Sequence, residues 1–437
     1  MLKKQGLRKL LEARVSEACS RQPGAAGERA GRAAFVEDLR YRLGLMVKSN
    51  PNDPNSSLVE SVDGFDRPSL AEGRIRPEEF SLRELAEAIC GEAWVEGLRP
   101  GDRPTLTDLM EAGPGVDPTS FVNVSTYSAA VTGLLEARIL ERFTNAAYVG
   151  DRLVSVMPSR KSGEKLIGTT GFSSTDGDNE RKPGMPHPRA QFGERYVTTP
   201  ETVERGLACE VTREAVFFDL TNEVLDRAGQ VGDALAYGKE KLILDGVIGA
   251  TNPYSYGGVA YNTYQTSAPW VNSHDNAMVD YDNVDKALNL FARMTDPETG
   301  REIIVNPNAI LHVPRRRSLW ETNLFPNMIR NITNTNTATY SVAPSSTRTN
   351  YELIESQTYY NRLVASGVDT TKALDYWFLG DFQGAFVWVE NWPLTVRTAS
   401  PTDYVMIDRQ IVVAVFANHR GVFAVKEPRK VVRNIKG

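Results

Sequence analysis

FDLTNEVLDRAGQVGDALAYGKEKLILDGVIG, residues Phe218 to Gly249, is the most regular stretch of the chain. Val224, Ala228, Val231, Leu235 and Leu242 keep helical spacing, Thr221 is placed to cap the start, and Gly246 and Gly249 supply the stop. At a rise of about 1.5 Å per residue, some 25 residues make a rod roughly 40 Å long. Such a helix is longer than most globular helices, and Gly229, Gly232 and Gly238 inside it each cost up to about 1 kcal/mol against alanine. Close approach of another backbone would account for them, and so would a need to flex.

The stretch before it has the opposite character. STDGDNERKPGMPHPR, Ser174 to Arg189, holds one apolar side chain, Met185, among three prolines, two glycines, three acids and three bases. It can neither continue a helix nor bury a strand. Yet KLIGTTGF (Lys165 to Phe172) and AQFGERYVTT (Ala190 to Thr199) on either side read as strands. Unstructured segments longer than about 12–15 residues are uncommon unless they have a function. Asn331 to Asn350, an Asn/Thr/Ser tract with little apolar content, is expected to be a second such loop.

The remaining elements follow from periodicity. Leu7, Leu10, Leu11, Val15 and Cys19 mark one helix face and, after the breaker QPGAAG, Phe35, Leu39 and Leu43 mark another. Residues 50–80 are rich in Pro, Asn, Asp and Ser, a linker composition. A short helix is expected from Ser81 (SLRELAEAICGEAW), and Leu135, Ile139 and Phe143 make TGLLEARILERF amphipathic, with DRLVSVMP as a strand after it. NPYSYGGVAYNTYQ reads as a loop, Asp282 to Met294 as a helix with Val284, Leu288 and Phe291 inward, NAILHVP as a short buried strand, and RRRSLWETNLF as a helix begun after Pro314. From Asp375 onward the chain is strand-rich: DYWFLGDF, AFVWVENW, LTVRTAS, MIDRQIVVAVFAN and GVFAVKEP. Together these give an α+β protein with a small α/β insert from about Asp275 to Ala385.

Composition removes several function classes. The chain is 41% apolar and 24% charged, an ordinary globular balance. Its longest apolar run, IVVAVFA, has seven residues against the roughly 20 of a membrane span. Cys19, Cys90 and Cys209 share no metal or disulfide spacing, which fits a reducing, cytoplasmic setting. The first 50 residues carry eleven Lys/Arg and five Asp/Glu in a chain of net charge −5, so the other 387 carry −11. An acidic body of that kind does not grip nucleic acid through a broad basic surface, though it can enclose it. The basic start, MLKKQGLRKLLEARVSEACS, lacks the apolar core of a secretory signal.

No catalytic constellation is present: the sequence has no GxxxxGK[ST], GxGxxG after a strand, HExxH or GxSxG. His187, His274, His312 and His419 are isolated. Asp176, Asp178 and Glu180 alternate as in a calcium loop but lack its glycine and distal glutamate. Arg315, Arg316 and Arg317 point three ways on a helix start, which suits acids of another subunit, or a plain solvated face, better than one phosphate. Neither an enzyme nor a cofactor is implied, and the weight moves to a structural role.

The order of elements from about Phe121 onward resembles the major capsid proteins of tailed bacteriophages, whose fold is shared with encapsulins and herpesvirus capsid floors. LLEARILERFTNAAYVGDRLVSVMPS resembles the N-terminal arm of that family (121–158), and Ser159 to Thr199 the extended two-stranded loop (159–199). GLACEVTREAVFFDLTNEVLDRAGQVGDALAYGKEKLILDGVIG resembles the entry strand and spine helix of the peripheral domain (200–274). Residues 275–385 resemble the inserted axial domain, and 386–437 the strands that return to the peripheral domain. Residues 1–120 fall outside the resemblance, where many members carry a scaffolding domain removed by a maturation protease.

The resemblance implies a virion head protein with no enzymatic activity. It implies self-assembly, as pentamers and hexamers, into an icosahedral shell that encloses double-stranded DNA. It also implies contact with a portal, a scaffolding or protease component and a decoration protein, and assembly in the bacterial host's cytoplasm. An encapsulin-like compartment shell is the alternative within the fold, and an unrecognised enzyme the alternative outside it. A shell subunit stabilises itself against its neighbours through projecting arms. On that reading Arg160, Lys161, Lys165, Arg181 and Lys182 of the extended loop, with Met185 at its tip, meet Glu223, Asp226 and Asp233 of a neighbour's spine helix. Some members of that family join a loop lysine covalently to a neighbouring subunit's asparagine beside a buried glutamate, and Lys161 or Lys165 with Asn391 or Asn418 are the candidates such a link would use here.

Overall fold

The structure, a computed structural model, describes residues 4–43, 45, 82–89, 118–144, 148–167, 183, 196–212, 223–279, 281–295, 302–314, 320, 328–332, 340–344, 351–399 and 411–436. The chain divides into two compact units. One comprises Met1–Asn145, Glu204–Ala236 and Trp392–His419, and the other Ala146–Val203, Tyr237–Asn391 and Arg420–Gly437.

In the first unit, helices Lys4–Arg21 and Ala25–Arg42 form a hairpin, broken by Pro23 and by Gly24 at φ 94°. The expected apolar faces are buried at Leu11, Phe35, Leu39 and Leu43. A Cβ at Gly31 would lie 2.5 Å from Val15 Cα, so the two helices touch through their backbones. Helix Leu82–Ile89 adds Leu82, Leu85, Ala86 and Ile89 to the same core.

Helix Pro118–Phe143 begins earlier than the apolar stripe suggested. It is also less amphipathic than Leu135, Ile139 and Phe143 predicted, because Ala130, Val131, Leu134 and Ala137 are buried too. The hairpin and the Leu82–Ile89 helix pack on it, and so do the first turns of the long helix Glu223–Val247. At that second contact a Cβ on Gly232 would lie 2.4 Å from the carbonyl oxygen of Ile139. Of the two explanations open for the interior glycines, close backbone approach therefore holds at Gly232, while a Cβ at Gly238 would touch nothing.

The second unit is built on a five-stranded mixed sheet of order 352–355, 309–312, 377–380, 431–435, 273–275. Its registers include Phe378↔Leu311, Trp377↔Asn434 and Arg433↔Ser273. Every residue of Ala309–His312 and Trp377–Gly380 is buried, so both faces are covered, which explains why these strands read as unbroken apolar runs. The last turns of the long helix bury Ile243, Leu244 and Val247 in this core. Helix Tyr281–Phe291 turns Val284 and Phe291 inward as expected. Helix Gln357–Ala365 is capped by the Ser356 hydroxyl, which accepts the Tyr359 N–H, and its Arg362 makes a two-pronged contact with Asp245 at 2.7 and 2.9 Å.

Three sequence expectations are corrected. Asp151–Leu153 is a helical turn (Gly150–Leu153), and only Ser155–Pro158 is a strand, paired in parallel with Val387–Glu390. The Tyr/Asn-rich loop contains a hairpin, Ser255–Tyr256 with Val259–Ala260, whose turn glycines Gly257 and Gly258 have φ 59° and 81°, as a two-residue turn requires. The Asn/Thr/Ser tract is not all loop, since Met328–Ile332 pairs antiparallel with Tyr340–Pro344. There the Ile, Tyr and Val interleaved among polar residues are enough for a two-stranded ribbon.

Candidate subunit-contact site

The two strands around the tongue do pair: Lys165↔Thr198, Leu166↔Val197 and Ile167↔Tyr196, with Tyr256 beside Val197. The base of this ribbon is tightly fixed. The Ser159 hydroxyl donates to Glu164 Oε1 at 2.6 Å and accepts the Lys161 N–H at 3.0 Å. Glu164 N–H donates to Thr199 Oγ1, and Thr199 N–H to the Glu164 carbonyl. Asn391 Nδ2 donates to the carbonyls of Ser159 (2.8 Å) and Lys161 (2.9 Å), fastening the turn to the strand Phe386–Ala399. Arg160 and Lys161 are left exposed on a rigid turn. Lys165 is exposed as well, but its Nζ lies 3.1 Å from Tyr196 Oη and 4.4 Å from the ring centroid.

The candidate acids belong to the first unit, and two of them, Asp226 and Asp233, already have partners within the chain. Arg138, itself 3% exposed, donates to Asp226 at 2.9 Å, while Asp226 keeps 59% of its side chain in solvent. Arg142 faces Asp233 at 4.0 Å. Glu223 opens the long helix. Arg181, Lys182 and Met185, and Arg315, Arg316 and Arg317, lie outside the described residues, as does most of the tongue. Asn418, the other amide considered for a covalent link, donates to Glu204 (2.7 Å) and accepts from Thr395.

Other polar features carry no motif in the sequence. Glu240 on the long helix is 2% exposed and accepts the N–H groups of Val149 (3.2 Å) and Gly150 (2.6 Å), at the start of the Gly150–Leu153 turn. Burial pushes its carboxyl above the ordinary value, partly opposed by those two N–H groups and by Lys239. A Cβ at position 150 would lie 2.4 Å from Glu240 Oε2, so only glycine admits the carboxylate. Arg429 and Glu427, exposed by 3% and 1%, pair through two bonds of 2.6 and 2.7 Å. Asn272 is fully buried and cross-links the segment: its Nδ2 donates to the Thr263 and Pro428 carbonyls, and its Oδ1 accepts the Gln265 N–H.

Among the described residues no three His, Cys, Asp or Glu side chains could together hold a metal ion, and no helix is long and apolar enough to cross a membrane. The hydrogen-bonded ribbon base leaves the cations of Arg160 and Lys161 exposed, and the long helix leaves Asp226 and Asp233 partly exposed.

Among solved structures, the capsid of a native GTA particle is 12% identical with a TM-score of 0.41, over 67% of this chain and 91% of its own. Gordonia phage Cozz is 16% identical with a TM-score of 0.39, over 67% of this chain and 88% of its own. A virus-like particle from Pyrococcus furiosus is 10% identical with a TM-score of 0.35, over 69% and 97%. Among curated proteins nothing matches. The family model described as phage capsid protein matches residues 195–434, more than half of the 437. That span includes the long helix, the five-stranded sheet and the final strands. The chain belongs to the phage capsid protein family, and its role is that of a structural subunit of a capsid.

Proposed function

We propose that the chain is the major subunit of a tailed-phage head, assembling as pentamers and hexamers into an icosahedral shell around double-stranded DNA held without sequence specificity. The observation that carries this is the family match across residues 195–434. Residues 121–158 then serve as the arm, 159–199 as the extended loop, 200–274 with 386–437 as the peripheral domain, and 275–385 as the axial domain. Portal, scaffolding or protease and decoration proteins are its partners, and assembly takes place in the host cytoplasm.

Arg160 and Lys161 on their fixed turn, with Lys165 and the tongue's Arg181 and Lys182, engage Glu223 and the exposed sides of Asp226 and Asp233 on a neighbouring copy. Met185 at the tip seats against the same neighbour. The Arg315–Arg317 cluster meets acids of another copy in the axial region. Electron microscopy of the purified chain tests the reading. Hollow icosahedral shells or capsomer rings, filled with DNA when taken from infected cells, are expected. A monodisperse monomer of about 48 kDa, the mass of one chain, would overturn it, and shells filled with an enzyme would move it to the compartment class.

A further inference from the structure

SRKSGE, Ser159 to Glu164, has no apolar side chain, so hydrogen bonds are what hold its shape. Ser159, 6% exposed, donates its N–H to the Glu390 carbonyl at 2.8 Å, and its hydroxyl bridges the Lys161 N–H and the Glu164 carboxylate. Across the neck of the turn the Thr202 N–H donates to the Ser162 carbonyl at 2.7 Å. Asn391, on the strand Phe386–Ala399, spans two more carbonyls with the hydrogens of one Nδ2, at 2.8 Å to Ser159 and 2.9 Å to Lys161. Its Oδ1 is buried with no donor among the described residues, which costs stability. An amide is therefore not the most stabilising filling of that place. What it supplies is one planar donor group that sets the spacing of two carbonyls. The result is a fixed backbone carrying two exposed cations, Arg160 and Lys161, which have no acid partner among the described residues.

We propose that Asn391 is a positioning residue: through the Ser159 and Lys161 carbonyls it fixes the backbone from which Arg160 and Lys161 reach an acidic surface of a second copy of this chain. The inference rests on the shell-subunit reading and deepens it, since it names what makes that contact favourable. Ordering a loose segment when two surfaces meet costs at least as much per residue as an exposed ion pair returns. A loose SRKSGE would gain nothing from its two cations, whereas one already held in place gives up only side-chain freedom. The partner follows from charge. The 387 residues beyond the first 50 carry −11, and Asp226 and Asp233 keep 59% and 35% of their side chains in solvent. Family membership supplies the copies.

The test is a double-mutant cycle on the full chain, Asn391→Ala against Arg160→Ala with Lys161→Ala. In unassembled subunits Asn391→Ala should speed amide exchange at Lys161 and Thr202 about tenfold, as loss of the two hydrogen bonds would, and leave the Trp377–Gly380 amides unchanged. The subunit concentration at which particles form should rise about threefold in Asn391→Ala and in the cation variant alike. The triple variant should match either one, because a positioning residue has no effect once the groups it positions are gone. A merely structural amide would give additive losses instead. Additive losses, unchanged exchange, or faster exchange with normal assembly would overturn the proposal, and so would variants that assemble normally and lose only enclosed DNA. Should Asn391→Ala fail to fold, Ser159→Ala, which removes the hydroxyl bridge from the same turn, takes its place in the cycle under the same criteria. A wild-type chain that forms no particles counts against the shell reading, and the cycle is then read on self-association in sedimentation. Salt-sensitive association lost without additivity upholds the positioning role there, and no association at all overturns it.

Discussion

A carboxylate shut away from water costs several kcal/mol unless donors meet its oxygens, and Glu240 is met by the N–H groups of Val149 and Gly150. Glu240→Ala strands both donors, at about 1–3 kcal/mol each. Hydrogen exchange at Val149 and Gly150 should therefore speed up by at least tenfold, while amides of the strand Trp377–Gly380 stay protected. The folded carboxyl titrates above its ordinary value of 4.5. Its stabilising contribution is thus complete below that value and fades as pH rises through the raised one. Glu240→Gln, which keeps one acceptor, should flatten this decline in local protection above the ordinary carboxylate range. A decline as steep as in the wild type would show that Glu240 is not its source. None of this was legible beforehand, because Glu240 sits 90 residues from Gly150 and neither belongs to a motif. The same holds for Asn272, whose partner Pro428 is 156 residues away.

Elements were the most legible level, and the reason is local. Helical spacing in Val224, Ala228 and Leu235 marks a stripe that any packing must bury, and the helix Glu223–Val247 follows it. The unbroken apolar strands Ala309–His312 and Trp377–Gly380 were equally clear. The ribbon Met328–Ile332 with Tyr340–Pro344 was missed because a short polar strand differs little from a loop until its partner is known. The glycines of the long helix were ambiguous until Ile139 appeared against Gly232. Gly232→Ala is expected to destabilise the first unit by about 1–3 kcal/mol, the usual cost of overpacking, despite alanine's better helix propensity. Gly238→Ala, with open space around it, should be neutral or stabilising by up to about 1 kcal/mol. Denaturant titration of unassembled subunits compares the two, and equal effects would refute the packing explanation.

At the scale of the whole molecule the proposed contacts are weak singly and numerous together. Exposed ion pairs contribute about 0–1 kcal/mol each and are screened by salt. Assembly yield should fall between low and molar salt, and charge reversal of Arg160 and Lys161 together should mimic the high-salt result. Deleting Asp176–Pro188 should leave soluble subunits or misshapen shells by light scattering and microscopy, and normal particles from that deletion would remove the tongue from the interface. The sequence by itself determined where helices and buried strands lie, that a long polar tongue interrupts two strands, and that no catalytic motif is present. Each of these is written in the spacing and type of near neighbours. Only the tertiary structure decided which glycines touch a backbone, which buried acid holds which amide, and that the first helices cover the Ala130–Ile139 face. Those contacts join residues far apart in the chain, such as Arg40 and Glu136 at a separation of 96, and such pairings exist only once the fold has brought the partners together.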